Sequence, residues 1–573
     1  MAVVTFAREL GSRGSRTETS TGDPASTTDG AAASVLAGVP AWWRDRARAA
    51  GLTGRWLDVF EAIDGPPPPE IVESSPVRLD PELSGHALGH AYVDALSSGV
   101  RARHGRHYTP APIAERLWAS ARAAWGWAEA PTPLPGLVRD PAAGAGGLLL
   151  PPLREHLVAT ADVDPAVVLA GLRQRIEGLE TDPAAAWLGS VVLGAELLPH
   201  LAALPDSRRR PLPGLVHLGD GLAAAAPARA VVMNPPYGRV RLDPTDRERF
   251  GHLVRGHANL YALFMGHALA TLDDDGVLAA LVPTSFTAGA YFQPLRAALA
   301  SATSLRSVSW LADRSGVFSG VLQETCIATF SKAHTDRTDV RSLHRGQDVI
   351  ARVPTPRTSG PWLLARRRED SATAEAAQKM PHTLGTLGWK VSTGPLVWNR
   401  RKDDLASERA VGRLPIVWGA DIVTGTVVAH GSRRSVRYLT LRGERDARTM
   451  VLDGPAILAQ RTTAPEQARR LVVAELDDDV LAEWGGSVVV ENHVNVLRPA
   501  VPEPVLDRRT LSVVLATTEL DRVLRSTAGS VAVSAYELSS LPFPGDETLA
   551  SWRGLDSHAL VDAVRAAYAG AES

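Results

Sequence analysis

The 573-residue chain contains one cysteine, Cys326, and no lysine before Lys332. One cysteine excludes a disulfide framework and a zinc site built from several thiolates. It also argues against methylation at cytosine C5, which needs an exposed thiolate, because Cys326 lies in an alternating, strand-like run and is expected to be buried. The lack of lysine in the first 331 residues disfavours an acid–x–lysine nuclease in that part of the chain.

Long apolar runs and excess charge are also missing. No apolar run approaches the ~20 residues that a membrane-spanning helix needs, and the first residues lack the apolar segment of a signal peptide. We therefore expect a cytoplasmic protein with no membrane partner. The net charge of −2 and the pI near 6.8 leave only a local basic surface for binding a nucleic acid. The length predicts about three to four domains.

The most informative stretch is the quartet Asn234-Pro235-Pro236-Tyr237, which follows the apolar run 230–233 and precedes Gly238. The run predicts a short buried strand that ends at the quartet. In an open α/β sheet, ligands bind at the carboxyl ends of strands, so the quartet is well placed for a site. The alternative is a stiff turn after a core strand, with an exposed tyrosine.

These residue types suit chemistry on an exocyclic amino group of a nucleobase. The lone pair of such an amine is delocalised into the ring, and two acceptors aimed at its hydrogens draw it back onto nitrogen. We expect the Asn234 side-chain oxygen and the Pro235 carbonyl to be these acceptors, in a turn that Pro236 keeps rigid. The ring of Tyr237 offers a stacking surface for a base that has left the duplex.

A glycine-rich turn follows an earlier predicted strand. The predicted strand 137–139 leads into Asp140–Gly147, in which glycines such as Gly144 and Gly146 let the backbone approach a ligand closely. The turn lacks the spacing and the lysine of a phosphate-binding loop, so a nucleoside triphosphate is disfavoured.

Two further predicted strands end in acids. The strand that begins at Ile176 ends at Glu180, which is suited to accept hydrogen bonds from two ribose hydroxyls. Asp182 precedes a proline and is expected to cap a helix. The next strand ends at Asp220-Gly221, where the carboxylate is suited to accept from an adenine amino group.

In this order, the motifs resemble the gamma-class N6-adenine DNA methyltransferases, particularly the stand-alone modification enzymes of type II restriction–modification systems. The matching stretches run from about residue 100 to 545, and His107-Tyr108-Thr109-Pro110 is similar to the family's upstream cofactor motif. The resemblance implies S-adenosylmethionine as the cofactor, and Phe318 as a second aromatic beside the base, unless Phe318 is a core residue. The implied cofactor-binding residues are Tyr108, Thr109, Asp140, Ala142, Gly144, Gly146, Glu180, Asp220, Gly221 and Asn234.

The alternation of helices and strands predicts an α/β fold. Residues 105–335 are expected to form a Rossmann-like methyltransferase domain with a mostly parallel, doubly wound sheet. A helical N-terminal region is predicted for residues 39–104, and disorder for the Ser-, Thr-, Gly- and Ala-rich residues 1–38. Residues 336–380 are predicted to be a linker, and residues 381–573 to be a mixed α+β domain that the resemblance identifies with DNA target recognition.

The C-terminal third holds the candidate DNA contacts. The basic residues expected to contact phosphates or guanine edges are Arg400, Arg401, Lys402, Arg433, Arg434 and Arg437. A solvated charged face is the alternative for any one of them. Asn492 and Asn495 are candidate base readers, with turn or cap roles as the alternative.

The resulting hypothesis is a site-specific DNA adenine methyltransferase, the modification arm of a restriction–modification or phage-defence system. Its expected partners are double-stranded DNA and a separately encoded endonuclease or defence subunit, and no metal is expected. Two alternatives stay open. Related folds use the same quartet on other planar amides and amines, so the substrate can be a protein glutamine or RNA, and the chain can instead be a non-catalytic DNA-binding subunit.

Overall fold

The computed structural model describes residues 30–65, 75–97, 99–101, 108–127, 130–311, 324–343, 348–428, 436–463, 467–527 and 532–569. The chain divides into two compact units. The first comprises Met1–Pro283 and Ser301–Thr335, and the second comprises Thr284–Ala300 and Asp336–Ser573. Residues 284–300 therefore belong to the second unit, although the sequence pattern placed them in the methyltransferase domain.

Seven strands form the main sheet of the first unit. They are β1 (Val138–Asp140), β2 (Ile176–Glu180), β3 (Val216–Leu218), β4 (Ala228–Met233), β7 (Leu272–Pro283), β8 (Ser304–Trp310) and β9 (Thr325–Ser331). A separate pair consists of β5 (Arg239–Val240) and β6 (Ala258–Asn259).

The sheet order is β8-β9-β7-β4-β1-β2-β3. The pairs from β3 to β7 are parallel, whereas β9 runs antiparallel to both β7 and β8. The predicted Rossmann-like methyltransferase fold with a mostly parallel sheet is confirmed. Cys326 lies in β9 and is buried, as its alternating pattern indicated.

The helices of the first unit connect these strands. They are α1 (Gly30–Ala49), α2 (Val59–Ala62), α3 (Gly85–Ala95), α4 (Ala111–Trp125), α5 (Leu150–Ala159), α6 (Pro165–Gly171), α7 (Pro183–Ala202), α8 (Pro244–Phe250) and α9 (Leu260–Ala270), followed by α10 (Gln293–Ala302), which leads back from the second unit. Helix α4 packs against β7 and β9, and α7 packs against β2 and β3. The predicted cap is confirmed, because the Asp182 carboxylate accepts hydrogen bonds from the first backbone amides of α7.

Helix α7 is long and apolar enough to cross a membrane, which corrects the expectation that no apolar stretch reaches that length. However, 83% of its apolar window is buried inside the molecule, against β2, β3, α1 and α3. Its all-round hydrophobic surface is therefore that of a core helix.

Helix α1 corrects another expectation. Disorder was predicted up to residue 38, but α1 already begins at Gly30, and Leu36 and Val39 are fully buried against α3 and α7. Alanine has the highest helix propensity, and burial of the apolar face completes the stabilisation. Residues 1–29 lie outside the described part of the chain.

The second unit combines short strands with helices, which confirms the predicted mixed α+β architecture. A four-stranded antiparallel sheet contains β13 (Trp389–Thr393), β20 (Ala456–Gln460), β21 (Val473–Leu476) and β23 (Val494–Pro499). A five-stranded sheet contains β14 (Leu405–Ala406), β15 (Arg413–Val417), β18 (Tyr438–Thr440), β19 (Val451–Leu452) and β22 (Val488–Val490). Smaller pairs are β12 (His382–Thr383) with β24 (Pro542–Phe543), and β16 (Ile422–Val423) with β17 (Thr426–Val427).

Residues 336–380, predicted to be a linker or connecting segment, form regular structure. They contain the antiparallel pair β10 (Arg337–Ser342) and β11 (Asp348–Pro354), followed by α11 (Ser371–Gln378). The remaining helices are α12 (Glu444–Met450), α13 (Asp478–Glu483), α14 (Arg508–Leu515), α15 (Thr518–Thr527), α16 (Ala535–Ser539), α17 (Asp546–Ser551) and α18 (Ser557–Tyr568).

Arg296 in α10 holds residues 284–300 inside the second unit. Its fully buried guanidinium donates to the backbone carbonyls of Phe286, Gly289, Ser359 and Gly360. Charge-assisted bonds of this kind satisfy the donors of a buried cation. Residues 284–300 are therefore an integral part of the second unit, although the chain before and after them belongs to the first.

Candidate active site

The carboxyl ends of β1, β2 and β4 meet at one edge of the sheet, because these three strands are parallel neighbours. A cleft of about 160 Å³ opens at this edge. The predicted residues that line it are Tyr108, Thr109, Asp140, Ala142, Gly144, Glu180, Gly221, Asn234 and Pro236. Gly146, Pro235, Tyr237 and Asp220 are not among the lining residues, and Phe318 and His107 lie outside the described residues.

The glycine turn is shaped by its backbone. Gly144 and Gly146 have φ angles of 52° and 78°, in the left-handed region that favours glycine. Gly221 is required for a different reason, since a Cβ atom there would lie 1.8 Å from the carbonyl oxygen of Pro141. The end of β3 and the turn after β1 are thus in direct backbone contact, and only glycine allows this approach.

Two carboxyl groups line the base of the turn. Glu180 accepts hydrogen bonds of 2.9 Å from the backbone amides of Gly144 and Asp182, which fixes the position of its carboxylate at the end of β2. Asp140 accepts from the amide of Ala142. Burial, together with the nearby charge of Glu180, raises the pKa of Asp140 to about 8, so its carboxyl is mostly neutral at pH 7.

Tyr108 lies against the glycine turn. A Cβ atom at Gly89 would lie 2.6 Å from its ring, and one at Gly147 would lie 2.9 Å from its hydroxyl, so two glycines make room for it. The ring of His86 packs edge-on against it at 4.9 Å. The Tyr108 hydroxyl is buried and has no hydrogen-bond partner among the described residues, although it borders the cleft. A polar ligand group in the cleft would satisfy it.

A hydrogen-bonded chain joins the upstream motif to the quartet. The side-chain amide of Asn234 donates to Thr109 Oγ1 at 3.0 Å. The Tyr237 hydroxyl lies 2.8 Å from Asn234 Oδ1 and 3.0 Å from the carbonyl oxygen of Leu281, and can donate to either. Burial raises the pKa of Tyr237 well above its usual value, so the hydroxyl keeps its proton.

Unlike Asp140 and Glu180, Asp220 is not among the residues that line the cleft. Its carboxylate accepts from the amide of Leu222 at 2.9 Å. The adenine-binding role that the resemblance implies for Asp220 stays a prediction.

Several cleft residues were not singled out from the sequence. They are Tyr92 and Val93 of α3, Leu179 of β2, Ala185 of α7 and Phe264 of α9. All of them lie within helices or strands, where an aromatic or aliphatic residue is normally interpreted as part of the hydrophobic core. No signal in the sequence marked any of these five as a cleft residue.

The candidate DNA contacts of the second unit separate into two groups. Arg400 and Lys402 are exposed, as a phosphate contact requires. Arg401 is mostly buried and pairs with Asp404 and with Asp446, the latter at 2.6 Å. Its predicted role as a free DNA contact is corrected, because the guanidinium is engaged inside the unit. Arg433 and Arg434 lie outside the described residues.

Two further candidates are also structural. Arg437 donates to the fully buried carboxylate of Asp421 and packs over the ring of Trp484. Asn495 is fully buried, and its amide donates to the carbonyl oxygen of Val533. Neither side chain is presented to a ligand as the base-reading hypothesis required. Asn492 remains partly exposed.

The sheet order and the cleft define a methyltransferase-type Rossmann fold. The family model of the Eco57I restriction-modification methylase matches residues 229–318, which include the quartet. The chain is homologous to the type II methyltransferase M.PstI from Providencia stuartii, with 26% identity over 332 residues, 56% of this chain and 65% of that protein. M.BsuBI from Bacillus subtilis is 24% identical over 335 residues, 56% of this chain and 66% of that protein.

These matches span just under two thirds of the relatives' own lengths. Among solved structures, the type IIL restriction-modification enzyme MmeI in complex with DNA has a TM-score of 0.51. The alignment covers 94% of this chain and 88% of the MmeI chain at 13% identity, which shows a shared fold.

The cleft fits S-adenosylmethionine. Glu180 presents a fixed carboxylate at the position where such folds hold a ribose, and the glycine turn exposes backbone beside it. The unpaired Tyr108 hydroxyl provides a donor for a polar group of the ligand. The cofactor-binding residues assigned from the resemblance remain predictions, but the donor set suits this cofactor.

Proposed function

We propose that this chain is a site-specific DNA methyltransferase that transfers a methyl group from S-adenosylmethionine to N6 of an adenine rotated out of duplex DNA. It acts as the modification component of a restriction–modification system. The proposal depends most on the hydrogen-bonded chain Thr109–Asn234–Tyr237 at the end of β4, beside the glycine turn. The methyltransferase relatives support the same chemistry.

Thr109 orients the reactive amide. Because the Asn234 amide nitrogen donates to Thr109 Oγ1, the side-chain oxygen of Asn234 points the other way. This oxygen is the acceptor that the exocyclic amine needs, together with the carbonyl of Pro235. A fixed acceptor costs no reorganisation when the amine becomes nucleophilic.

Tyr237 controls access to that acceptor. Its hydroxyl can donate to Asn234 Oδ1 or to the carbonyl oxygen of Leu281, which are 2.8 and 3.0 Å away. When the hydroxyl donates to Leu281, Asn234 Oδ1 is free to accept from the target amine. The tyrosine thus keeps a hydrogen bond in both states, and its ring offers a face for stacking.

No strong base is required in the cleft. Bound S-adenosylmethionine would supply a methyl group on a positively charged sulfur, and the amine loses its proton only after the new N–C bond has formed. Asp140 is mostly neutral at pH 7 and Tyr237 keeps its proton, so neither competes for the proton of the free amine. The quartet therefore acts by orientation and hydrogen bonding.

Exposed Arg400 and Lys402 support the assignment of double-stranded DNA as the partner, since such side chains neutralise phosphates. A separately encoded endonuclease is the expected second component of the system.

The decisive experiment incubates the purified chain with S-adenosylmethionine and plasmid DNA and maps modified bases by long-read sequencing. We expect N6-methyladenine confined to one short sequence, and none with Asn234→Ala, although this variant stays folded by circular dichroism. Methylcytosine at one sequence would overturn the choice of base. No modified DNA, combined with methyl transfer to RNA or to a protein glutamine, would overturn the choice of substrate.

A further inference from the structure

The segment that follows the quartet is held rigidly. Strand β5 starts at Arg239, two residues after Tyr237, and pairs with β6. The amide of Leu260, at the start of α9, donates to the carbonyl oxygen of Gly238 at 2.8 Å. Helix α8 lies between the two strands and is capped by the carboxylate of Asp243. The first residues after Tyr237 therefore have a fixed position.

Residues 239–242 alternate between surface and core. Val240 and Leu242 are buried, whereas Arg239 and Arg241 are exposed. In extended backbone, residues two apart share one face and are separated by about 7 Å. Two arginines thus lie side by side on the surface next to the quartet.

Within the described residues, neither Arg239 nor Arg241 forms an ion pair. Asp243, the nearest acid in the sequence, accepts a hydrogen bond of 2.8 Å from the amide of Asp246 at the start of α8. Arg249 differs from them, because its guanidinium donates to the carbonyl oxygen of Leu222 and packs over the ring of Phe250.

We propose that Arg239 and Arg241 bind the phosphates that flank the rotated nucleotide, an inference that rests on the proposed function. Guanidinium groups bind phosphate oxygens through paired, charge-assisted hydrogen bonds. Rotation of a base out of the duplex costs a few kcal/mol, which contacts to the distorted backbone help to offset. Arg239 begins β5 and Arg241 directly follows that short β-strand, so both lie just after Tyr237. They therefore bind the DNA strand whose base enters the cleft.

Salt dependence tests this directly. The double variant Arg239→Gln/Arg241→Gln removes two phosphate contacts, so the slope of log K against log salt for a duplex carrying the methylated sequence should become shallower by about 1.8. Arg210→Gln is the matched control. Arg210 is exposed, forms no ion pair within the described residues and lies six residues before β3, at the amino end of the strand, so the slope should remain that of the wild type.

A fluorescent probe distinguishes stabilisation of the rotated base from electrostatic attraction of the DNA as a whole. With 2-aminopurine at the target position and saturating DNA, the double variant should show less fluorescence of the unstacked base than the wild type, with unchanged cofactor binding. An unchanged slope and unchanged fluorescence would overturn the assignment of these arginines while leaving the proposed function intact. A wild-type chain that neither binds nor methylates DNA would overturn both.

Discussion

The cleft of the first unit and the basic residues 400–437 of the second unit differ in what holds their functional groups. In the cleft, the groups are backbone atoms at strand ends and short side chains, of which Glu180 is held by the amide of Gly144 and Asn234 by Thr109. In the second unit they are long cationic side chains, and Arg401 and Arg437 are bound to internal carboxylates. A short side chain at a strand end stays where the strand places it, whereas a long guanidinium can reach a carboxylate inside its own unit.

The largest expected effect concerns the cleft. Tyr237→Ala removes the stacking surface and should lower the single-turnover rate of methyl transfer at least ~100-fold. Tyr237→Phe keeps the ring and leaves Asn234 Oδ1 permanently free, so its rate should stay within about tenfold of the wild type. Equal losses in both variants would show that the hydroxyl, rather than the ring, is needed.

The next effect concerns backbone contact. Gly221→Ala places a Cβ against the carbonyl oxygen of Pro141, so the glycine turn must move and cofactor affinity should fall at least ~10-fold in calorimetry. Gly219→Ala is the control, since a Cβ there meets only the Leu179 side chain at 3.4 Å. If both variants bind the cofactor like the wild type, the turn does not depend on this contact.

The second unit should respond in stability. Arg401→Ala leaves the carboxylates of Asp404 and Asp446 without their shared partner and should lower the free energy of unfolding by about 2 kcal/mol. Arg400→Ala, an exposed neighbour, should change it by less than ~0.5 kcal/mol while weakening DNA binding. Denaturant titration and DNA-binding assays on the two variants distinguish these roles. If Arg400→Ala were the more destabilising change, the structural role assigned to Arg401 and the exposed role assigned to Arg400 would be wrong.

The last effect is a pH dependence. The pKa of Asp140 is about 8 in the folded chain and near 3.9 in an unfolded one. Between these values the folded state keeps a proton that the unfolded state has lost, so the contribution of Asp140 to stability falls as pH rises. Asp140→Asn retains the acceptor for Ala142, and its unfolding midpoint should drop less between pH 5 and pH 8. Parallel curves for the two proteins would contradict the raised pKa.

Local features were predictable from the sequence. The ends of β2 and β4, the cap at Asp182 and the burial of Cys326 each depend on a few neighbouring residues. The glycine turn was predictable from its own residues, although its position also depends on contacts with Gly221 and Tyr108. These features account for the mostly parallel sheet and for the convergence of the motifs on one cleft.

Features that depend on distant partners were not predictable. Residues 30–38 form a helix because α3 and α7 cover them, and Asn495 is a core residue because Val533 accepts its hydrogen bond. Likewise, Tyr92 and Phe264 reach the cleft only because the fold brings their helices there. Nothing in the sequence around any of these positions specifies its partner.

The excursion of residues 284–300 constrains how the two units can be exchanged between related proteins. A crossover at residue 335 would transfer most of the second unit but leave Arg296 behind, and so separate it from two of its four carbonyl partners, those of Ser359 and Gly360. Ser359 and Gly360 would then face a foreign segment. A transplantable cassette must carry both pieces, so we expect natural recombinants and engineered chimeras to keep residues 284–300 and 336–573 from the same parent.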